Sequence, residues 1–102
     1  GRNEADGGFR EAEMTKRSRL EMKMDILGTI CSSGKVGATH IMYDCNLSYV
    51  PLNLGLEELM DARLINCERS DSRRAVYSLT EKGVEVLEHF RQIRLALEKP
   101  KT

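Results

Sequence analysis

The chain carries no net charge, because 16 Lys and Arg balance 16 Asp and Glu. It therefore lacks the basic excess through which phosphate attraction usually shows itself. Charge is unevenly spread only in a small way. Arg2 and Arg10 face Glu4, Asp6, Glu11 and Glu13, so residues 1–13 carry −2 and residues 14–102 carry +2. No apolar run is long enough to span a bilayer and no signal-peptide core is visible, so a cytoplasmic protein is expected, with no membrane partner. The three cysteines, Cys31, Cys45 and Cys67, have no CxxC spacing. That argues against a disulfide framework and against a zinc site completed by His40. It leaves Cys31 and Cys45 as small hydrophobes at apolar helix positions. There is no phosphate-cradling glycine loop, no HExxH and no nucleophile–base pair; Tyr43, Asp44 and Cys45 are adjacent but would diverge on a helix. No enzymatic activity, metal or cofactor is expected. Internal repeats and low-complexity segments are also missing.

What is present suits one soluble domain: 102 residues, 40% hydrophobic and 31% charged. A chain of this size has a real core but a modest stability margin. Residues 1–13 hold a Gly pair and one large apolar residue, Phe9; residues 1–15 are set aside as a flexible leader or expression remnant, with Met14 a candidate start. Residues 16–80 form the core domain, 81–98 a C-terminal helix, and 99–102 a tail.

The first helix is expected at about 18–32. Ser18 as N-cap and Glu21 three residues on make a capping box. Met22, Ile26, Leu27 and Ile30 recur at helical spacing, widened by Met24 and Cys31. Ser32, Ser33 and Gly34 stop the helix, with Gly34 suited to a left-handed cap. A second short helix is expected at about 38–45, around Ile41 and Met42. After the tight connection Asn46-Leu47-Ser48, Ser48 is the N-cap of a third helix at about 49–62. Pro51 sits in its first turn, where a missing N–H costs little. Leu52, Leu56, Leu59 and Met60 form its buried stripe. Two helices joined so closely form a helix–turn–helix, with the third helix in the recognition position.

A strand follows at Leu64-Ile65-Asn66-Cys67-Glu68, with Leu64 and Asn66 on the inward face. Ser70-Asp71-Ser72 turns the chain, and Arg74 to Leu79 returns as a second strand. Ala75, Tyr77 and Leu79 alternate on one face. Thr80 then caps a helix running from Glu81 to about Glu98, before Pro100. On this last helix Val84 and Leu87 suit docking on the domain. Val86, Phe90, Ile93 and Leu97 are spaced four, three and four, the rhythm of a coiled-coil seam. A single broad stripe covering the first helix is one reading. A second copy, packed antiparallel through this helix, is favoured, because exposed apolar patches usually mean contact.

These segments resemble a family of small archaeal winged helix-turn-helix DNA-binding proteins. The resemblance covers about 16–98. It rests on Lys16-Arg17-Ser18-Arg19-Leu20-Glu21 with Asp25-Ile26-Leu27, and on Thr39-His40-Ile41-Met42-Tyr43 with Asn46-Leu47-Ser48-Tyr49. Leu56-Glu57-Glu58-Leu59 leading to Leu64-Ile65, and the closing Tyr77 to Gly83 run, complete it. It implies an α+β, mostly helical fold: a winged helix-turn-helix with a two-stranded wing and an extended C-terminal helix. It further implies a transcriptional regulator or nucleoid-associated protein that binds duplex DNA. The third helix would enter the major groove and the wing would touch the backbone or minor groove. Some members dimerise through the C-terminal helix.

The residues expected to carry DNA contact are Arg73 and Arg74 first, then Arg69, Lys35, His40, Ser48, Tyr49, Asn53, Arg17 and Arg19. Val86, Phe90, Ile93 and Leu97 are the expected dimer seam. The chain departs from the family pattern at Leu54 and Gly55, where basic residues are common. From Ser48 to Ala62 there is no Lys or Arg, which argues against guanine readout. Asn53 suits adenine and Tyr49 a phosphate or a thymine methyl. The competing reading is a winged-helix protein-interaction module, in which the acidic residues of the third helix face a basic protein.

Overall fold

Ser18 starts the first helix through a reciprocal pair of hydrogen bonds. Its hydroxyl accepts from the Glu21 N–H at 3.0 Å, and the Glu21 carboxylate accepts from the Ser18 N–H at 3.1 Å. The computed structural model describes residues 18–69 and 74–98. Helix α1 spans Arg19–Ser33 and ends at Gly34, whose φ is +83° and whose N–H bonds to the Ile30 carbonyl at 2.8 Å. A short strand β1, Val36–Gly37, follows, then helix α2, Ala38–Cys45. Asn46 turns the chain with φ 56°, and the N–H groups of Asn46 and Leu47 bond to the Tyr43 and Met42 carbonyls. Helix α3 spans Tyr49–Asp61. Ser48 has the extended backbone of an N-cap, but its hydroxyl makes no capping hydrogen bond, contrary to the sequence expectation.

The three helices pack around one apolar centre. Ile26, Leu27 and Ile30 of α1, Ile41 of α2 and Leu52 of α3 are fully buried, with Leu56 and Leu59 beside them. Each such side chain contributes roughly 1.5–3 kcal/mol when fully buried. Gly55 lets α1 lie close on α3: a Cβ there would sit 3.0 Å from Ile26 Cδ1 and 3.3 Å from Met22 Cε. Thr29 ties α1 to α2 by donating to Asp44 Oδ2 at 2.6 Å. Cys45 is buried next to Thr29, whereas Cys31 is exposed and does not fill the core position expected for it.

Helix α3 leads into the sheet through a left-handed Arg63, φ 62°. The Arg63 N–H bonds to Met60 O at 2.9 Å and the Leu64 N–H to Leu59 O at 2.9 Å. These two bonds satisfy helix-end carbonyls in the manner of a Schellman motif, with arginine where glycine is usual. Strands β2, Ile65–Arg69, and β3, Ala75–Leu79, form an antiparallel hairpin in which Ile65 faces Leu79 and Cys67 faces Tyr77. β1 adds to the other edge of β3, with Val36 opposite Tyr77, so the sheet has three strands in the order β1-β3-β2. The expected two-stranded hairpin is present and gains this third strand. Leu64 and Ile65 are both buried, while Asn66 is exposed and not inward-facing. The turn Ser70-Asp71-Ser72, with Arg73, lies outside the described residues, as do the leader and tail.

Helix α4 spans Glu81–Leu97. Thr80 caps it, accepting from the Gly83 N–H at 2.9 Å while donating to the Arg63 carbonyl at 2.8 Å. The Thr80 N–H bonds to Leu64 O at 3.0 Å. Gly83 and Leu87 are buried, and Val86 and Phe90 pack partly against the core. Val84, expected to dock on the domain, is 48% exposed, because the line of contact runs through Gly83 and Leu87.

Glu58 joins α3 to the start of α1 by bonding Arg19 Nη2 at 2.6 Å and Lys23 Nζ at 2.9 Å. The hydrogen bond from Lys23 holds its carboxyl below the ordinary carboxylate range; the charges of Arg19 and Lys23 add to this and desolvation opposes it.

This packing has two measurable consequences. A Cβ at residue 83 would lie 2.0 Å from the Leu64 carbonyl oxygen. Gly83→Ala is therefore expected to destabilise the fold by about 3 kcal/mol, read as a large fall in thermal midpoint. For Glu58, the folded carboxyl titrates lower than the unfolded one, so its contribution is complete above the unfolded value and disappears as pH falls through the folded value. Wild type is expected to melt above Glu58→Gln at neutral pH, with the gap closing in acid; a gap independent of pH would contradict this ion-pair account.

Candidate nucleic-acid interface

The pairing of β1 with β3 gathers side chains that are far apart in sequence. Arg74 precedes Ala75, the residue paired with Arg69 across the hairpin. On the other side of β3, Gly37 pairs with Val76 and hands the chain directly to α2. His40, in the first turn of α2, therefore lines a shallow hollow together with Arg74, Gly37, Ala38, Thr39 and Ala75. Gly37 has no side chain to cap α2. The first N–H groups of that helix are open to an external acceptor, and the helix dipole favours an anion there. Lys35, just before β1, reaches Glu68 of β2 at 3.5 Å, an exposed pair of small energetic weight. Lys35, His40, Arg69 and Arg74 thus share one small sheet and the helix start attached to it.

The N-terminus of α3 lies close to this group. Burial, and then the Cys67 thiol beside it, pushes the Tyr77 hydroxyl above its ordinary value, with Arg69 opposing and Tyr49 adding to the rise. Tyr77 therefore stays neutral at physiological pH. Tyr49 is 65% exposed, Ser48 is exposed and Asn53 is half-buried. Tyr49 and Asn53 stand on the first two turns of α3, directly after the Ser48 N-cap.

Arg19 stands elsewhere. Its guanidinium is held on Glu58, ten residues along from Ser48, about 15 Å at the rise of an α-helix. It is not brought to the cluster of Lys35, His40, Arg69 and Arg74. Arg17 and Arg73 lie outside the described residues. The four residues read as a dimer seam divide in two. Val86 and Phe90 pack partly against the domain's own core, while Ile93 is 57% and Leu97 80% exposed.

Sequence reasoning misses one feature of the surface. Val50 is 64% and Leu54 47% exposed, and Tyr43 on α2 is 80% exposed. A signal for it exists: the stripe Leu52, Leu56, Leu59 defines the core face of α3, and Val50 and Leu54 fall off it. Among the described residues, no helix is long and apolar enough to cross a membrane.

Comparison with known proteins agrees with this architecture. A DNA-binding protein of Sulfolobus solfataricus, Sso10a-2, superposes with a TM-score of 0.66 at 30% identity, over 79% of this chain and 85% of its own. A MarR-family transcriptional regulator of Silicibacter pomeroyi gives 0.64 at 20% identity, over 79% of this chain and 58% of its own. Streptococcus pneumoniae FabT, solved in complex with DNA, gives 0.64 at 18% identity, over 74% of this chain and 54% of its own. The last two likenesses speak for the fold alone, and this chain spans little more than half of each. No curated protein matches the chain in sequence. The winged helix-turn-helix family profile matches residues 16–98, a span that includes all of the described residues, and the chain belongs to that family.

Proposed function

We propose that this chain binds duplex DNA as a transcriptional regulator or nucleoid-associated protein. In this reading α3 lies in the major groove and the wing lies on the backbone or minor groove. The observation that carries it is the gathering of Lys35, His40, Arg69 and Arg74 around β3, beside the exposed first turns of α3. Arg74, His40 and the open N–H groups of α2 would hold phosphates, fixing register without reading sequence. Arg73, next to Arg74 in sequence, would add to this. The likeness to a DNA-binding protein at 30% identity supports the same reading.

A homodimer through α4 completes it. Ile93 and Leu97 are the half of the seam that the domain leaves uncovered, and Leu95 is 73% exposed near them. Glu81, Glu85 and Glu88 lie in the first half of α4, and Arg91 and Arg94 in the second. An antiparallel mate would set each half against its opposite charge, which favours that orientation over a parallel one.

Fluorescence anisotropy on random duplex DNA across a salt series tests the DNA-binding reading. Six phosphate contacts per dimer give a log–log slope of about −5. Arg69→Ala with Arg74→Ala is expected to weaken binding at least about tenfold and to flatten the slope by roughly 0.9 for each phosphate no longer neutralised. Sedimentation of that variant should be unchanged. A slope near zero in the wild type would sink the proposal. Independently, Ile93→Asp with Leu97→Asp is expected to convert a dimer into a folded monomer in sedimentation; a wild type that sediments as a monomer at micromolar concentration would remove the dimer.

A further inference from the structure

We infer that the N-terminal half of α3 selects A·T-rich duplex DNA by meeting thymine methyl groups and adenine edges. This rests on the DNA-binding reading and names the sequence class it would prefer. At about 100° per residue, Leu52, Leu56 and Leu59 occupy the core side of α3. The opposite side presents Val50 and Leu54 in its first half and Glu57 and Asp61 in its second; the half-buried Asn53 lies between the two sides, and Tyr49 is exposed in the first turn. Val50 and Leu54, one turn apart, are 64% and 47% exposed and form an apolar patch with Asn53 beside it, and Tyr49 is 65% exposed in the first turn.

Each base pair shows a different pattern in the major groove. Guanine offers two acceptors that Arg or Lys reads, and no residue from Ser48 to Ala62 is either. Arg19 and Lys23, which reach the second half of the helix from α1, are drawn onto Glu58. Thymine offers a methyl group, for which an aliphatic or aromatic side chain is the natural partner. Adenine offers an acceptor beside a donor, which the Asn53 amide matches with two hydrogen bonds. Val50, Leu54 and the half-buried Asn53 therefore suit A·T pairs and have nothing for G·C.

The acidic half sharpens the geometry. Glu57 and Asp61 would be repelled by phosphates, so the helix enters by its first two turns, with the positive end of its dipole toward the DNA. Phosphate positioning falls to the sheet and to the start of α2, and readout falls to α3.

The test uses the full chain and three duplexes of equal length: A·T-rich, G·C-rich, and the A·T-rich sequence with deoxyuridine replacing every thymidine. The deoxyuridine duplex lacks only the methyl groups. Binding about tenfold tighter to the A·T-rich than to the G·C-rich duplex is expected, with most of that advantage lost on deoxyuridine. Val50→Ala with Leu54→Ala should abolish the preference while keeping the helical circular dichroism and the salt slope. Asn53→Ala should become indifferent to 7-deazaadenine, which weakens the wild type. Equal binding to all three duplexes overturns the inference and leaves DNA binding standing. An A·T preference undiminished by deoxyuridine assigns selection to DNA shape and also overturns it. No binding to any duplex at low salt overturns both readings.

Discussion

The main-chain carbonyl of Leu64 is the point on which the two halves of the molecule close. It accepts the Thr80 N–H, and Gly83 is the residue that lets the first turn of α4 lie against it. The Thr80 hydroxyl extends the same joint to the Arg63 carbonyl while capping α4. Arg63 and Leu64 end α3, and Thr80 follows β3 without a loop. A single cluster of backbone contacts therefore sets the sheet, α4 and the end of α3 relative to one another. Any side chain at residue 83 enters space that backbone atoms already occupy, and backbone has no rotamer with which to give way.

That joint has consequences for the surface. With β3 fixed, the pairing of β1 brings Gly37 to its far edge and aims the start of α2 toward Arg74. Lys35, His40, Arg69 and Arg74 of a chain with no net charge are thereby brought to one sheet and the helix start attached to it. Glu58 does the reverse at the other end of α3, holding Arg19 and Lys23 in a structural pair. Net charge is a poor guide here because electrostatic attraction at a phosphate depends on local arrangement within about a Debye length, roughly 10 Å at 0.1 M salt.

Where sequence and structure differ, the reasons are definable. Alternation counted from Leu64 puts Asn66 inward. The left-handed Arg63 turn uses Leu64 to close α3, so the strand begins at Ile65 and the count starts one residue later. Apolar character alone puts Val84 inward, whereas contact follows Gly83, which has no side chain to betray it. Cys31 widens the apolar stripe on paper, yet it sits on the exposed side of the last turn of α1. Val50 and Leu54 carry no polar group that would mark them as a surface strip, and only the placement of the core face shows them turned outward.

The sequence by itself determined the helix ends, the core stripes and the strand-to-helix join, because capping boxes, left-handed turns and helical spacing act between residues no more than about four or five apart. Tertiary structure alone decided the third strand, since Val36 and Gly37 become one only where β3 offers its edge. It likewise decided which cations Glu58 holds and which share the sheet and the start of α2. These outcomes depend on partners tens of residues away, as with Arg19 on Glu58 and His40 beside Arg74, and no local pattern encodes such a distance.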